Sequence, residues 1–564
     1  MYQTSVTLCN FPSINSAVSK DTLKHILTMK VTANAVTLFC ILLLLSSASA
    51  CLNNCLCIRH AMTCRNYTEI PSQIPSGITS LLFHYANFSI ASSDFGHASY
   101  KSLDSLSFTE CHFNLIDSDA FVQLTSIKSL RFMTNFIKIL QPDAFDNIPT
   151  IEELFLSQNN FNQLSRGLFL GLANLQRLDF VNHQMLNIRS NAFRGLDNLK
   201  ILSLSNNNLR SLTDDKIWNG LHALEELYLP NNNLASIANE LFSGLQALKV
   251  LDFSNNSLQV LSQAKFAGLN KLETLILKQN PLGVVPQSAL KALPQLLNLN
   301  MYSSGLSAIS ASAFENVPNL KTLVLDYNRL DILPTAAFRI LAQLEILTMR
   351  ATRIETIPSR AFSNLTNLQH LTFARGSLNK IEKDAFQGLS SLLTLDLSRN
   401  HLTSLPKKLF RPLIVREGTM IGLSYNQWNC DCHFEDFTTS TYYHFGNATV
   451  HRIFKDLVCQ TPPELKGMFL WSVPADNFTC PPTTPKAAMT QTEMEIIIGS
   501  VLGSAFVIAV VSGTGVKYYR KRKSKFRRRR QHDLNLVSWD DNSEDQDHSE
   551  HTQETRSTTS VIHL

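Results

Sequence analysis

One pattern, LxxLxLxxNxLxxLxxxxFxxLxx, is repeated thirteen times in succession and constrains the fold more than any other feature of the chain. Its first apolar residue recurs every 24 residues from Leu103 to Leu392, apart from one step of 25 residues between Leu199 and Leu224. A unit of this length cannot bury its apolar side alone and must stack on its neighbours. The sequence therefore predicts a solenoid.

The first half of each unit is typical of a short β-strand. In LxxLxL the leucines face the core and the residues between them face solvent, because successive side chains of a strand point to opposite faces. This period and consensus resemble the leucine-rich-repeat family. The resemblance implies an α/β solenoid, a horseshoe with a concave parallel β-sheet and an irregular or short-helical convex side. With a degenerate repeat at residues 79–102, about fourteen repeats are expected over 79–425.

The ninth position of the unit is usually Asn, which predicts a ladder of side-chain hydrogen bonds to backbone groups at each turn. This asparagine ladder comprises Asn135, Asn159, Asn207, Asn232, Asn256, Asn280, Asn328 and Asn400. The same position holds Cys111, His183, Ser304, Thr352 and Gly376. Two consecutive replacements, at 352 and 376, predict a looser stretch. Cys111 is interpreted as a buried structural residue, with a reactive or intermolecular thiol as the alternative.

The nineteenth position carries an aromatic ring in almost every unit, which predicts a stacked column on the convex side. This phenylalanine column comprises Phe121, Phe145, Phe169, Phe193, Phe242, Phe266, Phe314, Phe338, Phe362, Phe386 and Phe410, with Trp218 and Leu290 at the same position. Because the rings follow the period of the repeat, they are assigned to the core and not to a cofactor site.

Eight of the eleven cysteines form two groups of four that bracket the repeats. The first group is Cys51, Cys55, Cys57 and Cys64, and the second is Cys430, Cys432, Cys459 and Cys480. Even groups around a cysteine-poor array favour disulfide-bonded caps in an oxidising compartment. A zinc site is the alternative interpretation of four closely spaced cysteines.

The first group, C-x3-C-x-C-x6-C, and the segment NQWNCDC at 426–432 resemble the caps of extracellular leucine-rich-repeat proteins. Members of this kind include Toll ectodomains, Slit-like and Nogo-receptor-like proteins and variable lymphocyte receptors. Gln427 stands where the family usually has Pro. The resemblance implies caps at 51–78 and 426–480, with Trp428 covering the last repeat. It also implies the disulfides Cys51–Cys57, Cys55–Cys64, Cys430–Cys459 and Cys432–Cys480.

The segment before the first cap is predicted to be a leader. Residues 1–50 end in a signal peptide at 29–50, with an apolar core and the small residues Ala48-Ser49-Ala50 at the cleavage site. A transmembrane helix is the alternative there, but an apolar run of about 13 residues is shorter than the ~20 that a span needs. Met1 and Met29 both remain candidate starts of the chain.

The segment after the second cap predicts a membrane anchor. A stalk at 481–495 leads to the uncharged segment 496–516, which is long enough to cross a bilayer. The ten basic residues of 517–530 then place the tail, 517–564, in the cytosol, so the topology is single-pass type I. Gly499 and Gly503 have the spacing of helix-dimer motifs, which makes a dimer one hypothesis.

The tail suggests two further partners. The basic run 517–530 is interpreted as a topology signal, with contact to anionic inner-leaflet lipid as the sharper alternative. The remaining residues are acidic and polar, which is typical of disorder. The last residue, Leu564, ends a hydrophobic-x-hydrophobic sequence of the kind that PDZ domains bind.

Six sequons predict glycosylation, and all lie on the expected extracellular side. They are Asn66, Asn87, Asn255, Asn364, Asn447 and Asn477. Asn87 is expected at the ladder position of the degenerate repeat and so to be the least accessible of the six.

Motifs for chemistry are missing from the sequence. There is no zinc-binding helix motif, nucleophile elbow or phosphate loop, so we expect neither an enzyme nor a cofactor. The region up to Cys480 is close to neutral, which gives no support for nucleic-acid binding. The tail of about 48 residues is too short for a kinase or a Toll/interleukin-receptor signalling domain.

The candidate binding residues lie on or beside the sheet positions that face solvent. The apolar and aromatic candidates are Phe155, Tyr228, Ile276 and Val324, flanked by Tyr302 and Tyr327. A basic stripe is expected at Arg350, Arg375 and Arg399. The alternative is that scattered exposed apolar residues have no function, which is common on protein surfaces. A glycan on Asn255 would divide this surface.

These features predict a plasma-membrane receptor or adhesion protein that binds an extracellular protein ligand through its concave face. One alternative is innate immune pattern recognition with signalling through a partner. Another is a membrane-tethered scaffold without catalytic activity, similar to the regulatory subunit of carboxypeptidase N. The sequence does not identify the ligand.

Overall fold

The computed structural model describes residues 51–113, 116–137, 140, 144–145, 148–164, 167–413, 419–432, 456–474 and 477–478. The expected leader, stalk, membrane segment and tail lie outside these residues, as do Asn447 and Cys480. Within the described ranges, no helix combines the length and the apolar character needed to cross a membrane.

The LxxLxL segments form one long sheet, which the cap hairpin and the strand Met420–Gly422 extend to seventeen strands. The strands are Cys55–Ile58, Ala61–Arg65, Ser80–His84, Ser105–Thr109, Ser129–Met133, Glu153–Phe155, Arg177–Asp179, Ile201–Ser203, Glu226–Tyr228, Val250–Asp252, Thr274–Ile276, Asn298–Asn300, Thr322–Val324, Ile346–Thr348, His370–Thr372, Thr394–Asp396 and Met420–Gly422. The first two strands pair antiparallel and every later pair is parallel. The predicted parallel-sheet solenoid of about fourteen turns is confirmed.

The register of the sheet follows the repeat. The fourth-position leucines pair across successive strands, so that Leu106 lies opposite Leu130, Leu130 opposite Leu154, and Leu154 opposite Leu178. All four are fully buried. A one-residue slip would turn this apolar row to solvent, and the row therefore fixes the register of the neighbouring strands.

The side opposite the sheet contains turns and very short elements. Its 3-10 helices are Ala98–Ser102, Asp215–Trp218 and Gln263–Phe266, and its one α-helix among the described residues is Thr335–Phe338. Three pairs of two-residue parallel strands lie there: Ser211–Leu212 with Ser236–Ile237, Val284–Val285 with Ala308–Ile309, and Thr356–Ile357 with Lys380–Ile381. Little helix is expected there, because the segment of a 24-residue unit that leads back to the next strand has room for only one or two helical turns.

The phenylalanine column packs as a stack inside this opposite side. The ring of Phe193 lies 6.3 Å from that of Phe169 and 5.9 Å from that of Trp218, which in turn lies 6.3 Å from Phe242. These four rings are buried, and Phe95 of the degenerate repeat extends the column to Phe121. The column belongs to the core, as the period predicted.

The asparagine ladder also forms. The Nδ2 atom of Asn159 donates to the carbonyl oxygens of Phe132 and Leu156, each at 3.0 Å. Its Oδ1 atom accepts the N–H groups of Asn135 at 3.2 Å and Ile137 at 3.1 Å. One side chain thus satisfies backbone groups of two consecutive turns, and leaving such buried groups unpaired would cost about 1–3 kcal/mol each.

Replacements of the ladder residue are accommodated in different ways. Cys111 is fully buried, and its N–H donates to the Oδ1 atom of Asn135 at 2.8 Å. Burial raises the pKa of its thiol, which donates to the carbonyl oxygens of Phe83 and Thr109. The interpretation of Cys111 as a buried structural residue is confirmed.

The stretch at Thr352 and Gly376 remains continuous in the sheet. The strands on both sides of these turns pair without a break. The Oδ1 atom of Asn400 accepts the N–H groups of Gly376 at 3.0 Å and Leu378 at 3.2 Å. Thr352 donates its hydroxyl to the carbonyl oxygen of Met349 at 3.2 Å, within its own turn. The expected loosening is therefore confined to side-chain bonds of the ladder.

The degenerate repeat begins one residue earlier than predicted. Ser80 pairs with Ser105, so the ninth position of this repeat is Ala86, which is fully buried. Asn87 follows it and is exposed. The prediction that Asn87 occupies the ladder is therefore wrong. The register is set by the buried apolar residues Leu81 and Phe83, and not by the nearest Asn.

Disulfide bonds close both ends of the described array. The structure joins Cys51 to Cys57 and Cys55 to Cys64 around the first hairpin. At the other end it joins Cys430 to Cys459, beside a small sheet of Trp428–Asn429 and Cys459–Thr461. Two 3-10 helices follow, Pro463–Leu465 and Leu470–Ser472. Cys432 is also disulfide-bonded, and Trp428 is buried in the core.

Candidate ligand-binding surface

The candidate surface is the solvent side of the long sheet. It is built by the third and fifth positions of each unit, and we call it the sheet face. The register extends it onto the first cap, because Leu56 aligns with Thr63, Thr63 with Leu82, and Leu82 with Ser107. Leu56 and Ile58 are exposed there, at 62% and 51%. The sequence interpretation missed both, since the repeat pattern does not reach the hairpin.

Phe155 lies in the sixth of the seventeen strands of the sheet face and is half-buried. The guanidinium carbon of Arg131 lies over its ring at 4.0 Å from the centroid, and that of Arg177 at 5.5 Å. The two arginines come from the strands on either side of Phe155. A ring with cations on its face gains electrostatic attraction in addition to the apolar contact.

Carboxylates hold both arginines in place. Arg131 forms an ion pair with Glu153 at 3.0 Å and donates to the hydroxyl of Ser129 at 3.0 Å. Arg177 pairs with Asp179 at 3.0 Å. Asp179 is only 8% exposed, and its Oδ1 atom has no hydrogen-bond partner among the described residues. We call Arg131, Glu153, Phe155, Arg177 and Asp179 the central cluster.

Tyr228 lies two strands beyond Asp179 on the same face. Its hydroxyl donates to the Oε2 atom of Glu226 at 2.8 Å. Partial burial, followed by this hydrogen bond and the negative charges of Glu226 and Asp252, raises the pKa of Tyr228 to about 12. The phenol therefore stays a hydrogen-bond donor across the physiological range.

The remaining apolar candidates lie farther along the array. Ile276 and Val324 are half-buried on the sheet face. Tyr302 and Tyr327 come together beside it, with ring centroids 5.0 Å apart, and the Nζ atom of Lys278 lies 5.8 Å from the Tyr302 ring. The structure thus brings together the two tyrosines, whereas no contact joins them to Phe155.

The three candidate arginines do not lie on the sheet face. Arg350 occupies the seventh position of its unit, and Arg375 and Arg399 occupy the eighth, at the turn that follows the strand. All three are exposed. The guanidinium carbon of Arg399 lies 4.3 Å from the ring centroid of Tyr425, which is 71% exposed and was missed because it lies beyond the last full repeat.

The eighth position has one backbone conformation in every turn. Its φ angle is positive in fifteen successive turns, at Tyr85, Glu110, Thr134, Gln158, Asn182, Asn206, Asn231, Asn255, Gln279, Ser303, Tyr327, Ala351, Arg375, Arg399 and Tyr425. Each therefore lies in the left-handed region, where the chain bends away from the strand. Side chains at this position form an edge beside the sheet face.

Charge divides the sheet face into zones. From Thr274 to Thr372 none of the third and fifth positions holds Asp, Glu, Lys or Arg. The central cluster, with Glu226 and Asp252, carries six charged side chains over six strands. A ligand can therefore obtain ionic contacts on this face mainly in its middle part.

Neither a metal centre nor a deep catalytic cavity was found in the described part of the chain. No group of three or more His, Cys, Asp or Glu side chains is arranged to hold a metal ion there. A groove of about 670 Å³ is lined by Asp331, Ile332, Leu333, Arg353, Glu355, Thr356, Pro358 and Ser377. It is open to solvent and holds no nucleophile paired with a base.

The described sequons are accessible. Asn66, Asn87, Asn255, Asn364 and Asn477 are all exposed. The Nδ2 atom of Asn255 donates to the Oδ1 atom of Asn231 at 2.7 Å, at the turn edge beside the sheet face. A glycan there would project from the same edge as Arg375 and Arg399.

Comparison with solved structures identifies similar folds. A chain of the Drosophila Toll–Spatzle complex has a TM-score of 0.53 and 18% identity, over 75% of this chain and 72% of that chain. Its glycosylated form gives a TM-score of 0.51 at 17% identity, over 76% and 74%. A leucine-rich-repeat protein of Leptospira interrogans gives 0.45 at 20% identity, over 64% and 95%. No curated protein sequence was found that matches the chain.

The family model supports the assignment directly. The leucine rich repeat model matches residues 101–161, 128–185, 173–234, 222–282, 271–330, 294–354, 318–375, 342–402 and 367–427. These overlapping matches cover more than half of the 564 residues. They coincide with the turns that build the sheet and the asparagine ladder. The chain belongs to the leucine-rich-repeat family.

Proposed function

We propose that the chain is a single-pass type I protein of the plasma membrane that binds an extracellular protein ligand across its sheet face, as a receptor or adhesion protein. The central cluster carries the proposal. Phe155 faces solvent between Arg131 and Arg177, so neither its ring nor their guanidiniums are needed to pack the core. Arginine and aromatic side chains are enriched among the residues that dominate protein interfaces.

Two further observations support a protein ligand. The sheet face is continuous over seventeen strands, which favours an extended partner over a small molecule. The fold is similar to that of a chain in a complex of Toll with Spatzle. The expected signal peptide and the segment 496–516 favour the cell surface as the place of binding.

The proposal is tested with the full chain on cultured cells. An epitope tag after residue 50 and a second tag after Leu564 report which end is outside. The cells are then probed with an array of purified extracellular proteins. A protein that binds is retested on the Phe155→Ala variant, for which we expect at least about tenfold weaker binding, as for an interface hot spot.

Val260→Ala is the matched control, because Val260 is apolar and 64% exposed but lies outside the sheet face. Equal loss of binding in the two variants would refute the role of the central cluster. Binding of microbial glycans in place of any protein would favour pattern recognition. Copurification of a peptidase would favour the scaffold. Each of the last two outcomes would overturn the receptor proposal.

A further inference from the structure

A second surface lies on the turn edge of the C-terminal half. Five arginines occupy the seventh, eighth and tenth positions of four consecutive turns: Arg329, Arg350, Arg353, Arg375 and Arg399. We call them the arginine edge. All five are exposed. The corresponding positions of the first turns hold mostly uncharged residues, such as Thr134, Gln158 and Asn182.

The arginine edge is not neutralised by the protein. Within the residues that the structure describes, no carboxylate forms an ion pair with any of its guanidiniums, whereas Arg131 and Arg177 of the sheet face are both paired. Asp326 is the one acid at the same positions; it is buried and already accepts the N–H group of Arg350 at 2.6 Å. The edge therefore carries an excess of positive charge.

Two acidic residues reduce this excess on one side. Asp331 and Glu355 share the wall of a groove with Arg353. The Oε2 atom of Glu355 accepts from Asn379 at 3.3 Å. No comparable acid lies at the turn positions of Arg375 and Arg399, where the flanking residues are Ala374, Gly376, Ser398 and Asn400. The strongest positive charge is thus along Arg350, Arg375 and Arg399.

The backbone places Arg375 and Arg399 at equivalent positions of two consecutive turns. The N–H groups of Arg375 and Arg399 donate to the carbonyl oxygens of Ser398 and Ser424, each at 2.9 Å. The φ angles of the two arginines are 61° and 57°, so both leave the chain in the same direction. Tyr425 supports the Arg399 guanidinium at 4.3 Å. This contact orders the Arg399 side chain, which therefore loses less conformational entropy when it binds.

The spacing of the row fits a linear polyanion. Neighbouring parallel strands lie about 4.8 Å apart, so the edge extends about 15 Å over its four turns. A guanidinium presents a planar fork of donors to an oxyanion, and arginine is the residue of choice for such groups. A charged polymer can follow a straight row of cations, whereas a folded protein would need apolar contacts in addition.

We propose that the arginine edge binds a sulfated polysaccharide of the cell surface or extracellular matrix. This goes beyond the proposed protein ligand, because it uses the turn edge and not the sheet face. Arg350, Arg375 and Arg399 pair with successive sulfate groups, and Arg329 and Arg353 add charge behind them. The contacts are ionic and exposed, so binding weakens as salt rises.

The test uses the full chain displayed on cells that lack their own glycosaminoglycans, with fluorescent heparin as the probe. The triple variant Arg350→Gln, Arg375→Gln and Arg399→Gln removes the front row. We expect the heparin concentration for half-saturation to rise by about tenfold, because three exposed ionic contacts are lost together. Staining of a tag after residue 50 corrects for surface expression and shows that the variant folds.

Two matched variants test the location. Arg339→Gln, Arg360→Gln and Arg411→Gln remove three exposed arginines from the opposite side of the C-terminal turns, and binding should be unchanged. The Phe155→Ala variant should retain heparin binding. A failure of the heparin proposal can therefore be distinguished from a failure of the proposed protein-ligand function.

Several outcomes would overturn the inference. Equal loss in the front-row and opposite-side variants would show only a general effect of net charge. Wild-type binding by the front-row variant would place the site elsewhere. Binding of desulfated heparin as strong as that of heparin would remove the role of sulfate. Stronger binding of poly-glutamate than of heparin would favour an acidic protein partner.

Discussion

At the scale of single residues, His183 is the least regular member of the ladder position. It is 5% exposed and packs against the ring of Phe180, with centroids 4.2 Å apart. Its Nδ1 atom contacts the carbonyl oxygen of Asn159 at 2.8 Å, while its Nε2 atom has no partner among the described residues. Burial lowers the pKa of His183 to about 4.

This pKa predicts a loss of stability in acid. In the unfolded chain the pKa of histidine is about 6.5, so between pH 6.5 and 4 the unfolded chain binds a proton that the folded chain does not. The free energy of unfolding is therefore unaffected by His183 above pH ~7 and falls by up to about 1.4 kcal/mol per pH unit below 6.5. His183→Asn should remove this fall. Thermal melting of the purified chain at pH 7 and pH 5 measures it.

His222→Asn is the control, because His222 is exposed. Its melting temperature should depend on pH as the wild type does. If His183→Asn also kept the wild-type dependence, the titration of His183 would not be the cause.

The burial of Cys111 predicts that its thiol resists alkylation in the folded chain. Its side chain is fully buried, and burial raises the pKa of the thiol, so little reactive thiolate is present and reagents do not reach it. Iodoacetamide should leave Cys111 unmodified in the folded chain at pH 8 and modify it in denaturant, as read by mass spectrometry of its peptide. Labelling at equal rates in both states would show that the turn opens.

At the scale of elements, the repeat predicts the strands well because two constraints agree. The leucine rows fix which side of each strand is buried, and the asparagine ladder fixes where each turn begins. Where one constraint is missing, prediction fails. The degenerate repeat lacks the ladder Asn, so only the burial of Leu81 and Phe83 determines its register. Leu56 and Ile58 could not be assigned a face, since an antiparallel hairpin precedes the first repeat.

The candidate surface was less predictable than the sheet. The pattern identified Phe155 as exposed, but its two cationic neighbours depend on side-chain conformation. The sequence predicts one basic stripe of Arg350, Arg375 and Arg399, whereas the three residues occupy two different turn positions. Numbering the positions within each repeat unit is enough to assign the three arginines to the turn edge. The contact of Arg399 with Tyr425 could not be read from the pattern, because the last unit is longer.

The gap in the ladder predicts a stabilising substitution. The Oδ1 atom of Asn328 accepts the N–H groups of Ser304 and Leu306, which belong to the turn before it, at 3.0 and 2.9 Å. The threonine at 352 makes no such bond to the N–H groups of Asn328 or Leu330 in the described structure. Thr352→Asn should restore it and raise the free energy of unfolding by about 1 kcal/mol. Urea unfolding measures the change.

Thr352→Val is the companion variant, because it keeps the branched shape and removes the hydroxyl. It should be neutral or destabilising. A Thr352→Asn chain less stable than the wild type would mean that the larger side chain does not fit beside Gly376, whose own position is tightly surrounded by Asn400 and Thr352.

At the scale of the whole array, the central cluster and the arginine edge lie in different repeat units. The central cluster is on the sheet face, whereas the arginine edge is on the turns beside it. The central cluster is centred on strands 129–179, and the arginine edge on turns 326–401. Because a solenoid is held together by contacts between neighbouring turns, its units can be removed or added without disturbing distant ones. The distance between the two surfaces is therefore an adjustable property of the array.

Deletion of residues 248–271, one full unit between the surfaces, should leave a folded chain. It removes the strand Val250–Asp252 and joins two turns of the same register, so surface expression and heparin binding should be retained. Deletion of residues 248–259 should abolish surface expression, because a half unit breaks the leucine rows. Flow cytometry with a tag after residue 50 measures both. Loss of expression in both chains would show that the turns are not interchangeable.

The left-handed eighth position sets a limit on engineering this chain. Asn tolerates this conformation well, whereas other side chains lose about 1 kcal/mol there. The middle turns hold Asn206, Asn231 and Asn255, and the later turns hold Tyr327, Arg375, Arg399 and Tyr425. A selection for heat resistance alone would thus drift toward Asn in the later turns and erase the arginine edge. Optimised variants of this protein should therefore be screened for polyanion binding as well as for melting temperature.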